Sequence, residues 1–126
     1  MIQDGTVVKI ADNAGGKIGK VFKVLGSSKR RYASLGDKVI ISVKIAEPRK
    51  GVKKKDVLQA VVVRTVKAFR RKDGSYIYFD ENAVVIVDKA KKDPKAGRVF
   101  GPIPKEFSES TIDGFKKIAS LAPEVI

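Results

Sequence analysis

The chain has 126 residues, is 43% hydrophobic, and carries 27 Lys and Arg against 14 Asp and Glu, a formal net charge of +13. Cysteine and histidine are both absent, which excludes a Cys/His zinc site, a thiol nucleophile and a Ser-His-Asp triad. The length suits one domain over residues 1–126, with a core large enough to need no disulfide or metal staple.

No apolar run approaches the ~18 residues that would span a membrane. The start, Met1-Ile2-Gln3-Asp4-Gly5, has no basic region followed by an apolar stretch. A signal peptide is not expected, and the chain is expected to stay in the compartment where it is made. A charge of +13 suits a polyanion, either nucleic acid or an anionic membrane surface.

The chain reads as β-rich up to about residue 88. Thr6 to Ala11 is a first strand, and Asp12-Asn13-Ala14-Gly15-Gly16 a turn. Ile18 to Leu25 alternates, with Val21, Lys23 and Leu25 expected on one face and Phe22 and Val24 on the other. A basic loop, Lys29-Arg30-Arg31-Tyr32-Ala33, follows the break at Gly26. Gly36-Asp37 then turns into Lys38 to Ala46, where Val39, Ile41, Val43 and Ile45 share a face. Arg49 to Lys55 is a second basic loop. Val57 to Ala68 is a long central strand whose Ala60-Val61-Val62-Val63 reads as buried. Arg70-Arg71-Lys72-Asp73-Gly74 connects it to Tyr76 to Phe79, with Asp-Gly as a hairpin signal. Ala83 to Val87 is the last of these strands. Such spacing suggests a small closed barrel or a sandwich.

After residue 88 the character changes. Asp88 to Ala96 is polar and loop-like, and Arg98 to Pro102 reads as an extended segment. Pro104-Lys105-Glu106-Phe107 suits a short helical turn. Ser110 is a candidate cap for a helix over 111–122, with Ile112, Phe115, Ile118, Ala119 and Ala122 on one face and Pro123 as the stop.

The charge is unevenly spread. Residues 44–72 hold eleven Lys or Arg and two acids, which is +9 of the total +13. Lysine clusters often serve solubility alone. Here, however, Lys53-Lys54-Lys55 and Arg70-Arg71-Lys72 flank one core strand, and that placement favours RNA. Arginine suits phosphate through its bidentate fork. Arg30-Arg31-Tyr32 joins cation to aromatic: Tyr32 either stacks on a base or covers a barrel end. Arg64, among valines, has three outlets: a solvent face, an acid, or a phosphate, with the phosphate favoured. With only 7% aromatic residues, phosphate and shape contacts are expected over sequence readout.

Asp12, Asp80 and Glu81 are the best candidates for acid/base or metal chemistry, yet all lie where turns ordinarily place such residues. Gly15-Gly16-Lys17 lacks the spacing and the following helix of a phosphate loop. An enzyme is therefore not expected, and neither a cofactor nor a small-molecule substrate is implied. A membrane-surface role would need a basic amphipathic helix, and 111–122 carries only Lys116 and Lys117.

Several runs resemble one family. Ala60-Val61-Val62-Val63-Arg64-Thr65, Asp73-Gly74, Phe79-Asp80 and Asn82-Ala83-Val84-Val85 are similar to the signature region of the universal large-subunit ribosomal protein family L-fourteen. Met1-Ile2-Gln3, Ala11-Asp12-Asn13, Lys23-Val24-Leu25-Gly26, Arg30-Arg31-Tyr32-Ala33, Phe100-Gly101-Pro102 and Ser120-Leu121-Ala122-Pro123-Glu124-Val125 agree in order, with a bacterial or organellar character. The chain departs from the family pattern at Ala96-Gly97-Arg98, where Gly-Thr-Arg is usual, and carries about three extra residues within 107–114.

The resemblance implies a mainly β fold: a closed five-stranded barrel over about residues 1–88, a protruding basic hairpin, and short C-terminal helices within 89–126. It implies a structural, non-enzymatic constituent of the large subunit, in cytoplasmic or organellar ribosomes. The implied partners are large-subunit rRNA, small-subunit rRNA at bridges between the subunits, ribosomal proteins L-nineteen and L-three, and the ribosome silencing factor. With it, RNA contacts are expected at Asn13, Lys23, Arg30, Arg31, Tyr32 and Arg49, and at Lys53, Lys54, Lys55, Arg64, Arg70 and Arg71. Partner or bridge contacts are expected at Arg98, Lys105 and Lys116. Charge reversal at Arg70 and Arg71 together is expected to cut ribosome incorporation with the barrel intact. The rival reading is a free single-strand RNA binder of barrel type, which should show an aromatic stacking face.

Overall fold

A computed structural model describes residues 2–26, 31–49, 51–87, 94, 97–107 and 116–126. Its strands are β1 (Val7–Ile10), β2 (Gly16–Val24), β3 (Lys38–Ala46), β4 (Val57–Arg64), β5 (Phe69–Arg70), β6 (Tyr76–Ile77), β7 (Ala83–Ile86), β8 (Pro102–Ile103) and β9 (Glu124–Val125). Five of them close a barrel in the order β1-β2-β3-β4-β7. Four junctions are antiparallel. The fifth, β1 on β7, is parallel, with Lys9 opposite Ala83 and Ile10 opposite Val84. Closure leaves this sheet no free edge.

Strand β3 follows the alternation of its sequence. Val39, Ile41 and Val43 are fully buried, but Ile45 is 49% exposed. The pairing with β4 ends at Ser42↔Val57, so Ile45 lies past the rim of the barrel. Strand β2 departs from the expected faces. Its register slips between Val21↔Ile41 and Lys23↔Ile40. This bulge puts Val21 and Val24 both inside and leaves Phe22 outside.

Ala60 to Val63 of β4 and all of β7 are apolar without alternation because both of their faces are covered. Ala60, Val62, Val84 and Ile86 point into the barrel, where they meet Val8, Val21, Ile41 and Val52. Val61, Val63, Ala83 and Val85 point outward, into a second core made with Val99, Ile103, Phe107, Ile118 and Ala119. Each such Val, Ile or Phe side chain stabilises the fold by about 1.5–3 kcal/mol when fully buried. The C-terminal segment is thus a cover over one wall of the barrel.

That segment crosses the wall in steps. Val99 bridges Asp12, β8 pairs in parallel with β9, a 3-10 turn spans Lys105–Phe107, and helix α1 spans Lys116–Leu121. The extended stretch and the short turn agree with the sequence. The expected helix start at Ser110 and the positions Ile112 and Phe115 lie outside the described residues. Strand β9 had no signal in its own residues, because two residues pair there only through contact with β8.

Candidate nucleic-acid interface

The two basic loops that flank β4 in the sequence sit at opposite ends of it in space, because an eight-residue strand separates them. At one end the β3–β4 loop is anchored by Val52, which is fully buried and donates its N–H to Ala14 O at 3.2 Å. Arg49, Lys53, Lys54 and Lys55 are all exposed around that anchor. The Asp56 carboxylate accepts the Lys53 N–H at 2.9 Å, and Asp56 N–H returns to Lys53 O at 3.2 Å. This tight turn sets Lys55 at φ 73°, and Arg49 at the loop entrance has φ 67°. Both are left-handed conformations that disfavour residues with a Cβ. The loop therefore holds these two cations in strained, outward positions.

At the other end, Ala33 exchanges two hydrogen bonds with Ile2, and Asp37 Oδ2 accepts the Ser34 N–H at 2.8 Å. These contacts fix the stretch that carries exposed Arg31 and Tyr32. Ser34 shares a pocket of about 280 Å³ with Thr65, Lys67 and Arg70. The fold thereby brings the loop after β2 beside the root of the ribbon β5–β6, a juxtaposition of cations and hydroxyls suited to phosphate oxygens.

The ribbon turns through Lys72-Asp73-Gly74. Arg71 N–H bonds Ser75 O, Gly74 N–H bonds Arg71 O, and Gly74 takes φ 89°. Asp73 Oδ1 accepts the Ser75 N–H at 3.0 Å and the Ser75 hydroxyl at 2.6 Å. Those bonds hold the Asp73 carboxyl below the usual carboxylate range. The one acid at the ribbon tip is therefore tied into the turn. Register places Arg70 opposite Tyr76, and Tyr76 and Tyr78 are 64% and 72% exposed. Neither tyrosine stood out in the sequence, since their significance depends on which ribbon face is bare.

Three of the residues expected to contact RNA are bonded within the protein. Arg64, at the end of β4, is only 3% exposed. Its Nη2 lies 3.1 Å from Glu81 Oε1, and its Nη1 donates to Phe100 O at 2.8 Å and Pro102 O at 3.0 Å. Burial lowers the pKa of the guanidinium, while the Glu81 and Asp80 carboxylates raise it. Of its three outlets, Arg64 takes the acid and not the phosphate. Gly101, at φ 80°, makes the bond pair possible, because a Cβ there would collide with the Arg64 guanidinium. Arg71 is also engaged: its Nε lies 2.8 Å from Glu106 Oε1, and Nη2 donates to Ile126 O. Asn13 is the third. Its Oδ1 accepts the Arg98 N–H at 3.2 Å, fastening the first turn to the C-terminal segment.

Lys23 is exposed on β2, as are Arg98 and Lys105 on the C-terminal segment. Lys105 borders a pocket of about 150 Å³ with Arg70, Arg71, Lys72 and Glu106. Lys116 opens α1. Arg30 lies outside the described residues. Glu106, which is 5% exposed, is a site residue that sequence reasoning missed; an acid in a one-turn helix carries no mark of a cation 35 positions earlier.

The carboxylates considered for chemistry have structural work. Asp12 Oδ2 accepts the Ile86 N–H at 2.9 Å and Oδ1 the Ala14 N–H at 3.2 Å, capping β7 and the first turn. Glu81 is held by Arg64 and by Lys9 at 3.6 Å. Both acids border an apolar groove of about 560 Å³ with Val7, Ile18 and Phe100. Among the described residues, no three acidic side chains cluster closely enough to hold a metal ion.

Comparison with known families gives a match over the whole chain: the family model of ribosomal protein L14p/L23e aligns with residues 1–126.

Proposed function

Since the chain belongs to the ribosomal protein L14p/L23e family, a structural component of the large ribosomal subunit, we propose that it binds large-subunit rRNA through the two cationic ends of its barrel. The observation that carries this reading is the +9 charge of residues 44–72, from which Arg49, Lys53, Lys54 and Lys55 are exposed before β4 and Lys67, Arg70 and Lys72 after it. Arg49, Lys53, Lys54 and Lys55 would meet phosphates at one end, and Arg31, Tyr32, Lys67 and Arg70 at the other. Such contacts release counterions, so affinity should fall steeply with salt.

The finer roles follow from the family resemblance. They are contact with small-subunit rRNA at bridges, with ribosomal proteins L-nineteen and L-three, and with the ribosome silencing factor. Exposed Arg98 and Lys105 support a partner surface on the C-terminal segment. The role is structural, with no reaction catalysed.

The test is sedimentation of host lysate through magnesium-containing gradients with a moderate-salt wash. Retention of the protein on large subunits and whole ribosomes is expected. Its release to the top of the gradient while ribosomes stay intact would favour a free RNA binder.

A further inference from the structure

Tyr76 and Tyr78 lie two residues apart, with half-buried Ile77 between them and buried Phe79 after them. Strand β6 ends at Ile77, but the alternation of exposure continues through Tyr78 and Phe79, so Tyr76 and Tyr78 share the exposed side, about 7 Å apart along the chain. Register adds Arg70 to the same face, directly opposite Tyr76. The apolar pair Phe69↔Ile77 belongs to the other face. Exposed Lys67 and Lys72 flank the ribbon, and Asp73 is turned into its own hairpin by Ser75. The outer face therefore presents two bare aromatic rings within a cationic frame.

From this juxtaposition we infer that Tyr76 and Tyr78 form a stacking platform for an unpaired RNA base, with Arg70 and Lys67 taking the adjoining phosphate. The inference rests on the rRNA-binding reading and adds to it a contact that is neither phosphate nor shape. A base offers a π-face to a tyrosine ring, and the nearby guanidinium adds cation–π attraction. Protein interfaces are depleted of lysine, whereas exposed Lys67 and Lys72 stand on either side of this face.

The test compares the full-length protein with Tyr76→Ala/Tyr78→Ala and Tyr76→Phe/Tyr78→Phe, measuring Kd for purified large-subunit rRNA across a salt series. Both side chains are exposed, so each variant should fold as the parent does by circular dichroism. The double alanine variant is expected to lose at least about fivefold in affinity, with an unchanged slope of log Kd against log salt. The double phenylalanine variant, which keeps the rings, should bind like the parent. Parental affinity in the alanine variant would overturn the platform while leaving the rRNA reading standing. Equal losses in both variants would overturn stacking in favour of hydroxyl contacts. Parental rRNA affinity combined with loss from large subunits would assign the face to a protein. Failure of the parent itself to bind rRNA would instead remove the underlying reading.

Discussion

Arg71 of the ribbon and Glu106 of the C-terminal turn meet at 2.8 Å, Nε to Oε1, both largely shielded from solvent. The two residues are neighbours in space only because the ribbon root and the C-terminal cover share one side of the barrel. Arg70, one position earlier, is exposed. Adjacent arginines thus divide into one that holds the fold and one available to a ligand.

Charge reversal separates them. Arg71→Glu sets a second carboxylate against Glu106, and Arg71→Ala leaves that carboxylate buried without its cation. Removing one member of a buried pair costs about 3–5 kcal/mol, which should appear as a clear drop in Tm for both variants. Arg70→Glu should leave Tm unchanged and weaken rRNA binding. The joint reversal of Arg70 and Arg71, attractive from sequence, is expected to lose incorporation by unfolding as well. Equal Tm values for Arg70→Glu and Arg71→Glu would refute the division.

Gly101 is the hinge of the other arginine clamp. Gly101→Ala combines an unfavourable φ of 80° with a Cβ driven into the Arg64 guanidinium. The strain alone is about 1–2 kcal/mol, and displaced bonds from Nη1 add to it. Gly51→Ala, at a position with open space around the added carbon, is the control. Urea denaturation should show a lower midpoint for Gly101→Ala and a near-parental one for Gly51→Ala.

Lys55 offers a case where stability and binding move in opposite directions. Its left-handed backbone, φ 73°, would relax in Lys55→Gly, offset in part by the greater freedom of glycine in the unfolded chain. Thermal melting of Lys55→Gly should therefore occur at or above the parental temperature. Its rRNA affinity should be lower, with a shallower salt slope by about one phosphate contact. A lowered Tm would show that the left-handed geometry is not a strain in this loop.

The ribbon tip carries a pH signature. Hydrogen bonds from Ser75 hold the Asp73 pKa below its ordinary value. The folded value lies below the unfolded one, so the stabilisation is fully present above the unfolded carboxyl pKa of about 3.9. It is lost as pH falls through the lowered folded value. Carboxyl titration by NMR should find Asp73 low in the parent and higher in Ser75→Ala. An unmoved Asp73 titration in that variant would assign the shift to another cause.

Much of the barrel was legible in the sequence, and the reasons for the exceptions are physical. Strand β3 alternates because one face meets the core, and its period of two survives up to the rim. Ala60–Val63 reads as buried because it carries no polar face, and Ala83–Val87, read only as a strand, is buried for the same reason. The bulge at Val21/Lys23 left no local trace, since it is defined against Ile40 and Ile41 on another strand. Partners of buried charges were the least legible. Nothing near Arg64 announces Glu81, Phe100 and Pro102, and nothing near Arg71 announces Glu106. Exposed cations such as Lys53 and Lys54 were placed well because solvent exposure needs no partner.

The double-sided burial of β4 and β7 also has a consequence for biogenesis. During translation the barrel strands leave the exit tunnel before residues 99–119, so Val61, Val63 and Val85 stand uncovered on one wall. Their cover comes only with Ile103, Phe107 and Ile118, which follow them in the chain. A premature stop in that interval would leave Val61, Val63 and Val85 without the side chains that cover them, an apolar flank that favours self-association.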